Sequence, residues 1–186
     1  MQIKRRATML LWTAGAALLL ATGVAFAAES VQCPADSSLE APCLGDGSEN
    51  VLVGTGRPDF IFGLGADAAL HGEGGDDFLN GDDTVSSEHD GDDAVFGGKG
   101  DDVLRGAGGS DLLSGGGGDD SIDASESSEN EGADTAYGGK GNDNIFARAD
   151  GKKDVIDCGE GNRDRVEFDR GIDRIENCEI QNLLEA

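Results

Sequence analysis

The sequence predicts an all-β protein built as a parallel β-helix, a solenoid of short strands separated by tight turns. Three observations predict it. A nine-residue beat, Gly-Gly-x-Gly-x-Asp-x-aliphatic-x, runs through 97–105 (GGKGDDVLR), 106–114 (GAGGSDLLS) and 115–123 (GGGGDDSID) without a gap, and returns at 138–146 (GGKGNDNIF). The eighth positions read Leu52, Ile61, Leu70, Leu79, Val95, Leu104, Leu113, Ile122, Ala136, Ile145 and Ile156, and ten of these eleven are large aliphatics, as a stacked interior column requires. The seventh positions are mixed, Phe60, Val103 and Leu112 beside Ser121, Thr135 and Asn144, which is the one-in, one-out pattern of a half-buried strand. A flexible Gly-rich linker would have no reason to place an aliphatic residue two places after each acid.

The elements follow in chain order. Residues 1–27 read as a secretory signal peptide: Lys4, Arg5 and Arg6 lead an apolar stretch from Thr8 to Val24, and Ala25-Phe26-Ala27 is a small-x-small cleavage site. The rival reading is an uncleaved membrane anchor, for which the apolar run is marginally long enough. Residues 28–44 carry Cys33, Pro34, Pro42 and Cys43 and read as an irregular, disulfide-closed leader. The array occupies 45–166. Its half-turns begin at 45, 54, 63, 72, 88, 97, 106, 115, 129, 138 and 149, and a degenerate twelfth at 158 has its acid one place late at Asp164. Three insertions, 81–87, 124–128 and 147–148, interrupt the beat. Residues 167–186 lose the glycines but keep Phe168, Ile172, Ile175, Ile180 and Leu183, and are expected to cap an otherwise open strand edge.

Composition excludes several function classes. Residues 28–186 hold 38 acidic and 11 basic side chains, a formal charge of −27, which rules against a nucleic-acid partner. Charge this high with one Tyr and no Trp in that stretch predicts disorder unless cations neutralise it. No basic amphipathic segment suggests a membrane surface once the signal is removed. The four cysteines, Cys33, Cys43, Cys158 and Cys178, form an even set in an exported chain and are expected to be oxidised. Of the three pairings, Cys33–Cys43 and Cys158–Cys178 each close a local loop at one end of the array. The spacings fit no zinc template.

The turns carry the chemistry. Glycines at positions one, two and four permit backbone dihedrals closed to other residues and let turns pack on copies of themselves. Such a turn aims carbonyl oxygens inward, and the sixth position adds a carboxylate. Numerous hard oxygen donors with charge suit Ca²⁺, with six to eight ligands at about 2.3–2.6 Å, better than Mg²⁺. No His or Cys clusters with the acids, which argues against Zn²⁺ or Cu²⁺, and His71 and His89 stand isolated. The chain has no His-Glu-x-x-His, no Gly-x-Ser-x-Gly and no phosphate loop. Acid pairs such as Asp76-Asp77 recur at every turn and read as structural ligands rather than a glycosidase pair. An enzyme is not expected.

In these motifs the sequence resembles the repeats-in-toxin, or hemolysin-type, calcium-binding nonapeptide repeat family. The resemblance covers roughly 45–157, and implies a parallel β-roll in which six residues form a turn, three a strand, and two repeats one coil. It implies that each Ca²⁺ sits between consecutive turns of the same edge. Carried over, that pairs Asp77 with Asp102, Asp102 with Asp120 and Asp120 with Asp143, with Asp59 extending the row. The other edge holds Asn50, then Asp93, Asp111, Asp134 and Asp154, and Ala68 breaks it. The expected metal ligands are therefore Asp59, Asp77, Asp93, Asp102, Asp111, Asp120, Asp134, Asp143 and Asp154. Turns 72, 97, 115 and 138 are near consensus and share one edge, whereas turns 88, 129 and 149 lack leading glycines and share the other. The family's usual C-terminal export signal is replaced here by an N-terminal one. The expectation is a stand-alone secreted, extracellular calcium-binding protein. The alternative is a cell-surface or matrix adhesion protein whose loop-bearing edge holds a cell-wall or protein partner.

Overall fold

A computed structural model describes residues 30–46, 48–82, 91–125, 132–147 and 151–184. The expected signal peptide, residues 83–87 of the first insertion, 126–128 of the second and 148 of the third lie outside these residues. The described residues contain no helix. Their strands are β1 (Ser30–Gln32), β2 (Cys43–Leu44), β3 (Asn50–Val53), β4 (Phe60–Phe62), β5 (Ala68–His71), β6 (Phe78–Asn80), β7 (Ala94–Lys99) and β8 (Val103–Arg105). They continue as β9 (Leu112–Gly117), β10 (Ser121–Asp123), β11 (Thr135–Lys140), β12 (Asn144–Ala147), β13 (Val155–Glu160), β14 (Arg165–Asp169), β15 (Arg174–Glu176) and β16 (Ile180–Leu184).

Odd-numbered strands form one eight-stranded sheet and even-numbered strands a second, each in strict sequence order. Every strand pairing between neighbouring coils is parallel, so the chain alternates between two sheets and advances one ladder step per coil. The fold is a parallel β-solenoid, as the nonapeptide period predicts. An uninterrupted coil takes 18 residues, as from Asp59 to Asp77 or from Asp102 to Asp120. The coils from Asp77 to Asp102 and from Asp120 to Asp143 take 25 and 23, because each contains an insertion.

The interior is the eighth-position column. Leu52, Leu70, Val95, Leu113, Ala136 and Ile156 stack in register on the first sheet, and Ile61, Leu79, Leu104, Ile122, Ile145 and Val166 on the second. All are fully or almost fully buried. The core is thus one aliphatic side chain deep from each side, and each buried Val, Leu or Ile contributes about 1.5–3 kcal/mol. Both disulfides form in the expected pairing, Cys33–Cys43 and Cys158–Cys178. Cys33 and Cys43 close the N-terminal end of the core, with Cys43 continuing the interior column beneath Ile61. Two disulfides fit an oxidising compartment.

Two expectations change. The insertions do not precede the second-edge turns but open inside them. Gly81, not Glu88, heads the first interrupted turn: it donates to the Arg105 carbonyl as Gly63 does to that of Asn80, and Gly106 to that of Asp123. Ala124 holds the same place in its turn and donates to Phe146; it is buried, as is Ala147. These turns therefore keep a small leading residue, and the inserted residues follow it in the chain. The C-terminal segment, expected to lie across the open end, instead extends the ladders. β15 pairs with β13 and β16 with β14, both parallel, so the segment is itself the last coil.

Candidate metal-binding turns

The turns that lead from the first sheet to the second form one edge, and those that lead back form the other. Within a consensus turn, the second and fourth residues adopt left-handed backbone. Gly98, Gly116 and Gly139 have φ of 113°, 110° and 111°, and Gly100, Gly118 and Gly141 have 122°, 139° and 130°. Close approach adds to the demand for glycine: a Cβ on Gly100 would collide with the Gly75 carbonyl, and one on Gly118 with that of Gly100. Leu64, Glu73 and Ala107 take the same left-handed geometry at second positions without glycine's freedom, with φ of 72°, 75° and 81°, at a cost of about 1–2 kcal/mol each.

The sixth-position aspartates point inward under their own turns. The Asp102 carboxylate packs against the α-carbon of Gly97, that of Asp77 against Gly72 and that of Asp120 against Gly115; a larger leading residue would leave it no room. One oxygen of each carboxylate knits the coils together. Asp59 N–H donates to Asp77 Oδ1, Asp77 to Asp102 and Asp102 to Asp120, each at 2.8 Å, and Asp120 to Asp143 at 2.9 Å. The row continues from Asp143 to Asp164 at 2.9 Å and from Asp164 to Glu179 Oε2 at 3.1 Å. On the second edge, Ala68 donates to Asp93, Asp93 to Asp111 and Asp111 to Asp134 at 2.8 Å, Asp134 to Asp154 at 2.9 Å, and Asp154 to Asp173 at 3.1 Å. The structure thus brings Asp77, Asp102, Asp120 and Asp143 into one row, and Asp93, Asp111, Asp134 and Asp154 into the other.

The second oxygen is the informative one. Oδ2 of Asp77, Asp93, Asp102, Asp120, Asp143 and Asp164 is buried with no hydrogen-bond partner among the described residues. A buried carboxylate oxygen left without a donor is costly, and natural proteins place such atoms where an ion or a proton serves them. Burial, and after it the charge of neighbouring aspartates, pushes these groups above the usual carboxylate range. Asp77 and Asp120 rise to about 7, Asp102 and Asp143 to about 6, and Asp93, whose strongest like-charge neighbour is Asp82, to about 8. Asp164 is also raised, by burial and then by Glu179. Among the described residues no three His, Cys, Asp or Glu side chains converge on one point. The carboxylates of consecutive turns, together with the turn carbonyls, are a donor set of hard oxygens whose chemistry fits Ca²⁺.

Asp59 differs from the rest of its row. Ser37 of the leader donates to its Oδ1, and the Thr55 N–H and hydroxyl donate to its Oδ2 at 2.6 and 2.9 Å. Its carboxylate is satisfied by protein alone and ends the row. At the other end, Asp164, Asp173 and Glu179 join the rows although the sequence reading gave them no ligand role. A signal for two of them is visible: Asp164-Arg165-Val166 and Asp173-Arg174-Ile175 keep the acid-x-aliphatic beat after the glycines stop. A further, outer ladder runs along the fifth positions, where Asp101 N–H donates to Asp76, Asp119 N–H to Asp101 and Asn142 N–H to Asp119 at 2.8–3.0 Å.

Three segments, 44–79, 89–122 and 130–151, match the family model of the RTX calcium-binding nonapeptide repeat. The array belongs to the RTX calcium-binding repeat family. No curated protein and no solved structure matches the chain. RTX repeats bind calcium, and the matched segments hold eight of the nine expected aspartates, Asp154 lying beyond the last. The paired turns described above are therefore those of a calcium-binding repeat.

Proposed function

We propose that this RTX protein is secreted, has no catalytic activity, and folds its β-roll when extracellular Ca²⁺ binds between consecutive turns of one edge. The observation that carries the reading is the set of buried, partnerless Oδ2 atoms repeating once per coil. Charged and unserved, these oxygens oppose folding together with the formal charge of −27 on residues 28–186. Bound calcium supplies the missing partner and the missing charge, so binding energy becomes folding energy. The proposed ligands are Asp77, Asp102, Asp120 and Asp143 on the first edge and Asp93, Asp111, Asp134 and Asp154 on the second. Asp164 is added, and Asp59 is withdrawn because its carboxylate is already satisfied.

Export rests on the signal-like residues 1–27. Cleavage after Ala27 would leave β1, which starts at Ser30, intact. We assign 28–44 as the disulfide-closed leader, 45–166 as the array and 167–186 as its terminal coil. Circular dichroism during a calcium titration tests the reading. β-Structure should rise cooperatively at about 10⁻⁴–10⁻³ M free Ca²⁺, the range of extracellular modules. A full β-signal in excess chelator at neutral pH would refute it.

A second reading, adhesion to a cell-wall or protein partner, draws support from the outer face of the second sheet. There Phe60 and Phe62 pack on Phe78 with ring centroids 5.9 and 5.7 Å apart, and the Arg105 guanidinium lies over Phe78 at 5.8 Å. Pull-down from cell-wall fractions with and without chelator separates the two readings.

A further inference from the structure

The base of the first insertion holds oxygens that the nonapeptide repeat does not provide. The second position of a consensus turn is Gly98, Gly116 or Gly139; in the turn headed by Gly81 it is Asp82. Asp82 is buried, and its Oδ2 accepts the Gly91 N–H at 3.1 Å, nine residues on. Beside it, Asp93 is 2% exposed; its Oδ1 accepts the Ala68 N–H at 2.8 Å. The Asp93 Oδ2 lies against the α-carbon of Gly81, the residue before Asp82, and has no partner. Asn80 is 4% exposed; its Nδ2 donates to the Asp82 carbonyl, and its Oδ1 has no partner.

The turn that precedes Asp93 on this edge explains why an extra acid is needed. From Asp93 to Asp154 on this edge, and from Asp77 to Asp143 on the other, each pair of consecutive turns offers two sixth-position carboxylates. Here the preceding turn offers Ala68, which has none. We infer that Asp82 replaces the carboxylate missing at Ala68, and that Asp82, Asp93 and the Asn80 amide oxygen form a separate Ca²⁺ site at the base of the insertion. Two carboxylates match a divalent charge, and three hard oxygens from a short stretch of chain leave room for carbonyls and water to complete a calcium shell. An ion there would clamp both ends of the insertion, between Asp82 and Gly91, and keep the second-edge ladder in register past the break at Ala68. The inference rests on the calcium reading above but concerns a site outside the repeat pattern.

The test uses the secreted chain and Asp82→Asn, which keeps an oxygen for the Gly91 N–H but loses the charge. Equilibrium dialysis against radioactive calcium should show one ion fewer per chain than wild type, with the β-signal in saturating calcium retained. Unchanged stoichiometry and affinity in Asp82→Asn would overturn the inference while leaving the calcium reading intact; failure of the wild type to bind calcium would instead sink that reading. Should Asp82→Asn not fold, the wild type titrated with Mn²⁺ and read by NMR decides. Broadening of the Asn80 side-chain amide and the Gly91 N–H supports the site. Sharp signals there, while the Asp102 amide broadens, reject it.

Discussion

Asp102 offers the sharpest perturbation, because its carboxylate serves the fold and the proposed ions through different atoms. Its Oδ1 accepts the buried Asp77 N–H at 2.8 Å, and its Oδ2 is the partnerless oxygen beneath Gly97. Asp102→Ala removes both. The stranded Asp77 N–H costs about 1–3 kcal/mol. Two proposed ions, one toward Asp77 and one toward Asp120, each lose a carboxylate; at about tenfold in affinity per ion, that is about 2.8 kcal/mol more. Asp102→Asn keeps an acceptor for Asp77 and removes only the charge, so the second loss should appear almost alone. Asp154 accepts the Asp134 N–H at 2.9 Å and lies near the end of the second row, so Asp154→Ala should move the midpoint less. Calcium titrations followed by circular dichroism, run in parallel on the three variants, give the midpoints. The expected order of required calcium is Asp102→Ala, then Asp102→Asn, then Asp154→Ala, then wild type. A wild-type midpoint for Asp102→Asn, or equal losses in Asp102→Ala and Asp154→Ala, would refute the shared-carboxylate scheme.

Three further outcomes are expected. The carboxyls of Asp77, Asp93, Asp102, Asp120 and Asp143 sit at about 6–8 in the folded, metal-free chain against an ordinary 3.8, so the folded state holds protons that the unfolded chain releases. Their contribution is complete below about 3.8 and is lost as pH rises through 6–8; β-structure in chelator should therefore fall between pH 5 and pH 8, and a rise over that interval would contradict the burial of these groups. Leu104→Ala, which empties a fully buried place in the interior column, should cost about 2–5 kcal/mol in calcium-saturated denaturant melts; a loss below about 1 kcal/mol would mean that the column is not packed. Cys158→Ser with Cys178→Ser opens a 20-residue link and should cost about 3 kcal/mol, freeing the last coil to pair with other chains while mid-array calcium binding stays near normal; a monomeric, equally stable double variant by light scattering would reject that role.

Much of the solenoid was legible because its rules are local. A left-handed residue at Gly98 and Gly100, an inward acid at Asp102 and an inward aliphatic at Leu104 all lie within one nonapeptide. Repetition then repeats the answer. The interior column followed from the nine-residue count, and the division of the aspartates into two rows from the two-repeat coil that the family resemblance implies.

What escaped the sequence depended on contacts between distant residues. Both Glu88 and Gly81 could head the first interrupted turn on local grounds; the ladder decides for Gly81, whose carbonyl accepts the Leu64 N–H and whose N–H donates to the Arg105 carbonyl. Asp59 looks like any other sixth-position acid, but Ser37, 22 residues away, occupies its oxygen. The C-terminal segment lacks the glycines that announce a coil and is held as one by parallel pairing to β13 and β14 and by the Cys158–Cys178 bond. The sequence by itself determined the period, the turn, the core column and the hard-oxygen chemistry, since each is set by backbone dihedrals and side-chain direction within nine residues. The tertiary structure alone decided where the insertions open, which carboxylates are already satisfied and where the rows end, because those depend on which backbone N–H meets which oxygen one coil away.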